Sequence, residues 1–253
     1  MTRCRNESGP RSACDDRRYF NQPAFAIECS MSEGTARLRE MAEEQGGLFT
    51  RQQAESCGVA WSTISRLVTT GTGERVAHGV YRFRGGAVPQ GLELHAAWLQ
   101  LAPSIWGWER APRQGVVSFR SAAVLYGVSE LIPQRHTFTL PVRRQSRRLD
   151  VSLRQRDIET RDCRWVSSLL VTRPSRTAAD LLTDHEDPGA VRRFVGESLR
   201  LGYESAEEVA RCLVPHAHAF GFTERDGARF LRWLRVPEDS PPDLPLEAHQ
   251  QPA

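Results

Sequence analysis

Residues 45–85 read QGGLFTRQQAESCGVAWSTISRLVTTGTGERVAHGVYRFRG, and the spacing inside them decides the fold. Between Thr50 and Gly71, small Ala54 is followed four residues later by Gly58, and then by Ile64 and Leu67. That offset predicts two helices crossing at about a right angle. Ala54 lets the second helix approach closely, Gly58 supplies the positive φ of a short inter-helix turn, and Ile64 with Leu67 faces a small core. The helix after the turn, Trp61 to Thr69, is the expected recognition helix.

Gly71-Thr72-Gly73 ends that helix, and Arg75 to Arg84 then alternates around Gly79, which predicts a tight β-hairpin. A helix-turn-helix followed by an arginine-bearing hairpin is a winged helix, so DNA binding is the first expectation. Burial of Ile64 and Leu67 turns Ser62, Thr63, Ser65, Arg66 and Thr69 outward, where hydroxyls reach phosphates or bases and Arg66 can grip a guanine edge. Trp61, at the helix start, is expected to pack. Along the wing, alternation places Arg82 and Arg84 on one face and sends Tyr81 and Phe83 to the core. Arg75, Arg82 and Arg84 are the expected wing contacts to phosphate or the minor groove.

Composition narrows the chemistry. The 253 residues suffice for two domains, with 40% apolar content. No run approaches the roughly 18 apolar residues of a membrane span, and the start lacks the apolar stretch of a secretory signal. A cytoplasmic, nucleoid-associated protein is expected. The cysteines at 4, 14, 29, 57, 163 and 212 form no C-x-x-C pair, which argues against a zinc site or disulfide framework. Cys57, before the turn, reads as a small core residue.

All 34 basic residues are arginine. Without lysine the chain has no P-loop lysine, no Schiff-base lysine and no lysine of a usual metal-dependent nuclease motif. Arginine still suits phosphate and guanine, through its planar fork of donors. The net charge of +3 hides an asymmetry: residues 110–176 hold 14 Arg against 5 Asp and Glu, whereas residues 177–253 hold 8 against 14. Residues 31–109 are near neutral, with 7 Arg against 8 acids, so local wing arginines matter more than the regional sum.

The expected class is α/β (α+β): an N-terminal winged helix-turn-helix followed by a mixed α/β C-terminal domain. Residues 1–33 lack periodicity and read as a disordered extension, with Met31 a candidate native start. The winged helix occupies 34–88, a C-terminal domain 89–236, and a Pro- and acid-rich tail 237–253. Within the second domain, Leu92 to Leu101 reads as a buried connecting helix and Pro103 to Arg113 as a loop carrying Trp106 and Trp108. Helices are expected at Ser118–Tyr126, from Pro174 to Leu182, and over Val191–Leu201, Ala206–Leu213 and Thr223–Leu234. Strands are expected at Thr137–Val142, Leu149–Leu153 and Val166–Thr172. The segment Arg143-Arg144-Gln145-Ser146-Arg147-Arg148 between two strands reads as a hairpin tip. Its four guanidiniums, Arg143, Arg144, Arg147 and Arg148, offer either a second phosphate contact or a solvated turn.

Taken in order, the winged-helix start, Gly79-Val80-Tyr81-Arg82, Ser118 with Ser121-Ala122-Ala123-x-Leu125-x-Gly127, and Val171-Thr172-x-Pro174-x-Arg176-Thr177-x-x-Asp180-Leu181 resemble the AbiEi family. The resemblance runs from about Thr35 to Leu234. It implies the antitoxin half of a type IV toxin-antitoxin system: a winged helix that binds repeats in its own promoter as double-stranded DNA, represses transcription and takes part in phage defence. It also implies a C-terminal domain needed to counter a nucleotidyltransferase-type toxin, with no direct contact assumed, and self-association on the repeats. His78 departs from the pattern, since many relatives place Pro before Gly-Val-Tyr. Some proteins with these blocks continue into a restriction-endonuclease-like domain, but the eighteen residues after Arg235 are too few for one.

No enzyme activity, cofactor or metal is expected. Arg176, Thr177 and Asp180 read as a cap and ion pair beside Pro174 rather than as catalytic groups. His216-x-His218 and Asp184-His185-Glu186 have ligand chemistry, but nothing in the sequence joins them. The competing readings are a stand-alone winged-helix transcription factor, a phage-defence accessory protein without a toxin partner, and a nucleic-acid-cleaving enzyme.

Overall fold

Thr50 closes the first strand and opens the first helix of the helix-turn-helix. Its hydroxyl accepts from the Gln53 amide at 3.1 Å while the Gln53 side chain accepts from the Thr50 amide at 2.9 Å, a reciprocal cap that fixes where the helix begins. A computed structural model describes residues 32–128, 130–223 and 226–235. The expectations for 1–31 and for the tail after Arg235 lie outside the described residues.

The first elements are α1 (Glu33–Glu43), β1 (Leu48–Thr50), α2 (Arg51–Ser56), α3 (Trp61–Thr69), β2 (Gly73–Ala77) and β3 (Val80–Phe83). Gly58 adopts φ +76° in the turn between α2 and α3, a conformation that costs other residues energy. Ala54 and Ile64 are fully buried, as the offset pattern requires, and Leu67 packs partly against the same core. The three strands form an antiparallel sheet in the order β1-β3-β2. Phe49 pairs with Tyr81 and Leu48 with Arg82, so alternate residues face opposite sides. Phe49, Tyr81 and Phe83 join Leu38, Ala42 and Ile64 in the small core. Leu48 and Val80 point to the other side and belong to the larger core. That second face of the wing sheet is covered by α4 (Leu92–Leu101), a helix buried along most of its length.

Beyond α4 lie β4 (Val116–Val117), α5 (Phe119–Leu125), β5 (His136–Leu140), β6 (Val151–Gln155), β7 (Cys163–Val166), β8 (Leu169–Thr172), α6 (Pro174–Thr183), α7 (Pro188–Arg200), α8 (Ala206–Ala217) and α9 (Gly227–Arg235). A five-stranded mixed sheet has the order β6-β5-β4-β8-β7, and Phe138, Leu169, Val171, Val191, Phe194 and Phe230 are buried in the core that includes it. The α+β class is as expected, with two corrections to detail. Strands β5 and β6 run parallel, so residues 141–150 form a crossover and not a hairpin tip. The segment read as one strand from Val166 is a hairpin, with β7 and β8 antiparallel around Ser167 and Ser168 at φ +48° and +62°.

The loop after α4 joins the winged helix to the larger core. Thr50 Oγ1 donates to the Pro103 carbonyl, and the Gln53 amide group donates to the Ile105 carbonyl at 3.0 Å. Gln45 accepts from the Gly107 amide at 3.0 Å and donates to Gln53 at 2.8 Å. Trp106 inserts into the small core. Arg110, 4% exposed, lies against Trp98 at 4.2 Å and donates to the Trp98, Leu99 and Ala102 carbonyls, the last two at 2.9 and 2.7 Å. It satisfies the orphan acceptors at the end of α4. Burial pulls its pKa down to about 9, so the guanidinium stays charged at neutral pH.

Candidate nucleic-acid interface

Helix α3 shows two chemistries on two faces. Ile64 is fully buried, whereas Ser62, Ser65, Arg66 and Thr69 are exposed and Thr63 is half-buried. Ser62, Thr63, Ser65 and Arg66 make no side-chain hydrogen bond or ion pair among the described residues, which leaves their donors open. The Thr69 hydroxyl is engaged, donating to the Ser65 carbonyl one turn back at 3.0 Å. The residue before the helix, Ala60, offers no side-chain cap. The first amides of α3 are therefore not satisfied by a capping side chain, an arrangement that receives phosphate well.

The three wing arginines separate. Arg75 is exposed near the tip, where it contacts His78 Nδ1 at 3.1 Å and has no carboxylate partner among the described residues. Arg84 is exposed at the base and pairs with Glu74 at 3.1 Å. Arg82 departs from the expectation of an outward side chain: the side chain is 5% exposed, pairs with Glu74 at 2.7 Å and donates to the Gly86 carbonyl at 2.6 Å. Alternation did place Arg82 on the face opposite Tyr81, but α4 lies on that face and Arg82 is held there by Glu74 and the chain after β3. The Arg82 guanidinium beside Glu74 holds that carboxyl below the usual range. Arg82 thus supports the wing from behind and does not reach outward.

The wing tip is anchored to the larger core. Gln100 on α4 donates to the His78 carbonyl at 2.7 Å and accepts from Arg148 at 2.7 Å. His78, Gln100, Arg144, Arg147 and Arg148 line a groove of about 360 Å³. Arg144 donates to the Leu101 carbonyl at 2.6 Å, and Arg148 forms an ion pair with Asp150, which offsets its charge. Arg143 and Arg147 are exposed without such partners among the described residues. The structure therefore brings the 143–148 segment beside the wing tip, which spacing in the sequence could not show.

Sequence reasoning missed Arg51. It opens α2, bonds through its amide to the Gly79 carbonyl at 3.0 Å, pairs with Glu55 at 2.7 Å and lies 5.2 Å from the ring centre of Trp61. Its place in the first turn of the helix before the recognition helix was the available signal. Gln100 was missed as well, hidden in an apolar helix.

Of the remaining candidates, Arg176, Thr177, Asp180, Asp184 and Glu186 are engaged in ion pairs and hydrogen bonds within the fold. Arg176 bridges Asp180 at 3.1 Å and Asp162 at 3.4 Å, and Thr177 shares a 2.7 Å contact with Thr172 inside the core. Burial raises the Asp180 pKa, with Arg176 opposing it. Asp184 pairs with Arg154 and Glu186 with Arg120. Among the described residues no group of three or more His, Cys, Asp or Glu could hold a metal ion, and no helix is long and apolar enough to cross a membrane.

Residues 36–84 match the family model described as the transcriptional regulator, AbiEi antitoxin. No curated protein matches the chain. Among solved structures, the RV2827C protein from Mycobacterium tuberculosis is similar at 16% identity, over 84% of this chain and 85% of that one, with a TM-score of 0.47.

Proposed function

We propose, from the match of residues 36–84 to the AbiEi antitoxin regulator model, that the chain is the antitoxin of a type IV toxin-antitoxin system, repressing its own operon and countering a nucleotidyltransferase-type toxin. One observation carries the DNA-binding part: within the matched segment, Ser62, Ser65 and Arg66 stand free on α3 while Ile64 anchors that helix from beneath. In this reading α3 enters the major groove, with its N-terminal residues at the base edges. Arg51 and Arg75 hold the flanking phosphates, and Arg143 and Arg147 extend that hold beyond the wing tip. Arg84 contributes only where DNA draws it from Glu74, and Arg82 keeps the wing in place.

The 143–148 groove next to the wing gives the larger core a share in the interface. Repeats in the promoter would seat two or more copies. The proposal is tested in cells with a reporter fused to the DNA upstream of the gene. Expression should fall when the protein is supplied and recover with an Arg51→Ala, Arg66→Ala, Arg75→Ala variant. Co-expression with a neighbouring nucleotidyltransferase-like toxin should restore growth. Repression without growth rescue would leave a stand-alone regulator, and loss of neither growth inhibition nor reporter signal would refute the proposal.

A further inference from the structure

Trp61 is the first residue of α3, and its place differs from that of the other exposed tryptophans. Trp108 lies flat on Trp106 at 5.2 Å, and Trp165 meets Trp98 edge-on at 6.2 Å, both against the body of the fold. Trp61 stands 46% exposed at the end of the helix that the proposed function sends into the major groove. It is also held. The ring of Tyr81 meets it edge-on at 5.9 Å and 61°, and the Arg51 guanidinium sits 5.2 Å from its centre. A clasped aromatic side chain loses little freedom on binding, which is how rigid aromatic anchors gain affinity. Its indole N–H has no hydrogen-bond partner among the described residues.

The side chain therefore combines an apolar ring, partly exposed, and one donor without a hydrogen-bond partner among the described residues. Among the base edges of the major groove, thymine offers the matching pair: a C5-methyl group beside the O4 acceptor. Cytosine presents a donor at that position and no methyl group. We infer that Trp61 is a specificity-determining residue that reads a thymine in the operator, packing its ring on the 5-methyl group and donating its N–H to O4. The inference rests on the proposed DNA-binding role of α3 and adds to it the identity of one base. Trp61 packs against Tyr81, as the sequence leads one to expect, and the inference concerns the part of it left exposed.

The test measures binding to a footprinted operator duplex in which each thymine in turn is replaced by uracil, which keeps O4 and lacks the methyl group. Wild type, Trp61→Phe and Trp61→Ala are compared. At one thymine per bound copy, uracil should weaken the wild type about fourfold, the worth of burying one methyl group. Trp61→Phe should keep that penalty, because its ring remains. Trp61→Ala should bind thymine and uracil duplexes alike. Replacing the same T·A pair by 5-methylcytosine·G restores a methyl group but presents a donor, and it should weaken wild type more than it weakens Trp61→Phe. If no uracil position changes wild-type binding, or if the change persists in Trp61→Ala, the thymine contact is overturned while the winged helix remains the reader. If wild type binds no operator at all, the DNA-binding reading falls and this inference with it.

Discussion

Replacing Arg82 should cost the protein stability, while replacing Arg84, two residues away on the same strand face, should not. The Arg82 side chain is 5% exposed and makes two charge-assisted contacts, to Glu74 at 2.7 Å and to the Gly86 carbonyl at 2.6 Å. Hydrogen bonds to charged groups contribute roughly 1.5–3 kcal/mol each, so Arg82→Ala is expected to lose about 3 kcal/mol after solvent satisfies part of what is left. Glu74 would keep Arg84 at 3.1 Å and would not be orphaned. Arg84 is 57% exposed, and pairs of that kind contribute about 0–1 kcal/mol. Glu74→Ala should cost as much as Arg82→Ala or more, about 3–5 kcal/mol, because it strands a nearly buried cation. Combining Glu74→Ala with Arg82→Met should recover most of the loss, since an apolar side chain of similar length needs no partner. Urea and thermal denaturation would report the series; about 3 kcal/mol in a chain of this size corresponds to roughly 6–12 °C. If Arg82→Ala keeps wild-type stability and loses only DNA affinity, Arg82 points outward and the buried pairing described above is refuted.

Further outcomes follow from the same contacts. Gln53→Leu should lower stability by about 2–4 kcal/mol in urea melts, because it leaves the Thr50 amide and the Ile105 carbonyl without partners in a buried setting. Burial holds the His136 and His216 pKa values below the usual range, so their contribution is present above the unfolded value and lost as pH falls through the folded one. Melting temperature should therefore drop as pH is lowered below about 6.5, and a His136→Asn, His216→Gln variant should flatten that slope; an unchanged slope would remove both histidines from the account. Arg143→Ala with Arg147→Ala should reduce the slope of log K against log salt by up to about 2, with operator preference intact. An unaltered slope would place the 143–148 segment off the DNA.

The winged helix was legible because its signals are local. Ala54, Gly58 and Ile64 fix the crossing of two helices, and Gly79 at φ +71° fixes the hairpin turn. Recognition-helix exposure followed from period alone. Arg82 was misread because alternation gives the face of a strand and cannot say what holds a side chain there; Glu74 on the neighbouring strand and the Gly86 carbonyl do so here. The β7–β8 turn was invisible since Ser167 and Ser168 adopt left-handed conformations without the usual Gly or Asn. Residues 141–150 lack a turn motif because they make a parallel crossover. The buried polar clamp of Gln45, Gln53 and Arg110 reads in the sequence as ordinary surface chemistry, and only the fold shows that it ties the reading head to the larger core.

The most direct measurement is nuclease footprinting of the DNA upstream of the gene, with wild type and a Ser62→Ala, Ser65→Ala, Arg66→Ala variant across a salt series. These three side chains are exposed and unengaged, so the variant should fold as wild type does. Wild type should protect a discrete repeated site, and the variant should lose that protection while retaining weak, salt-sensitive binding. Equal protection by both proteins, or no specific protection by wild type at low salt, would contradict the assignment of α3 as the reader of DNA.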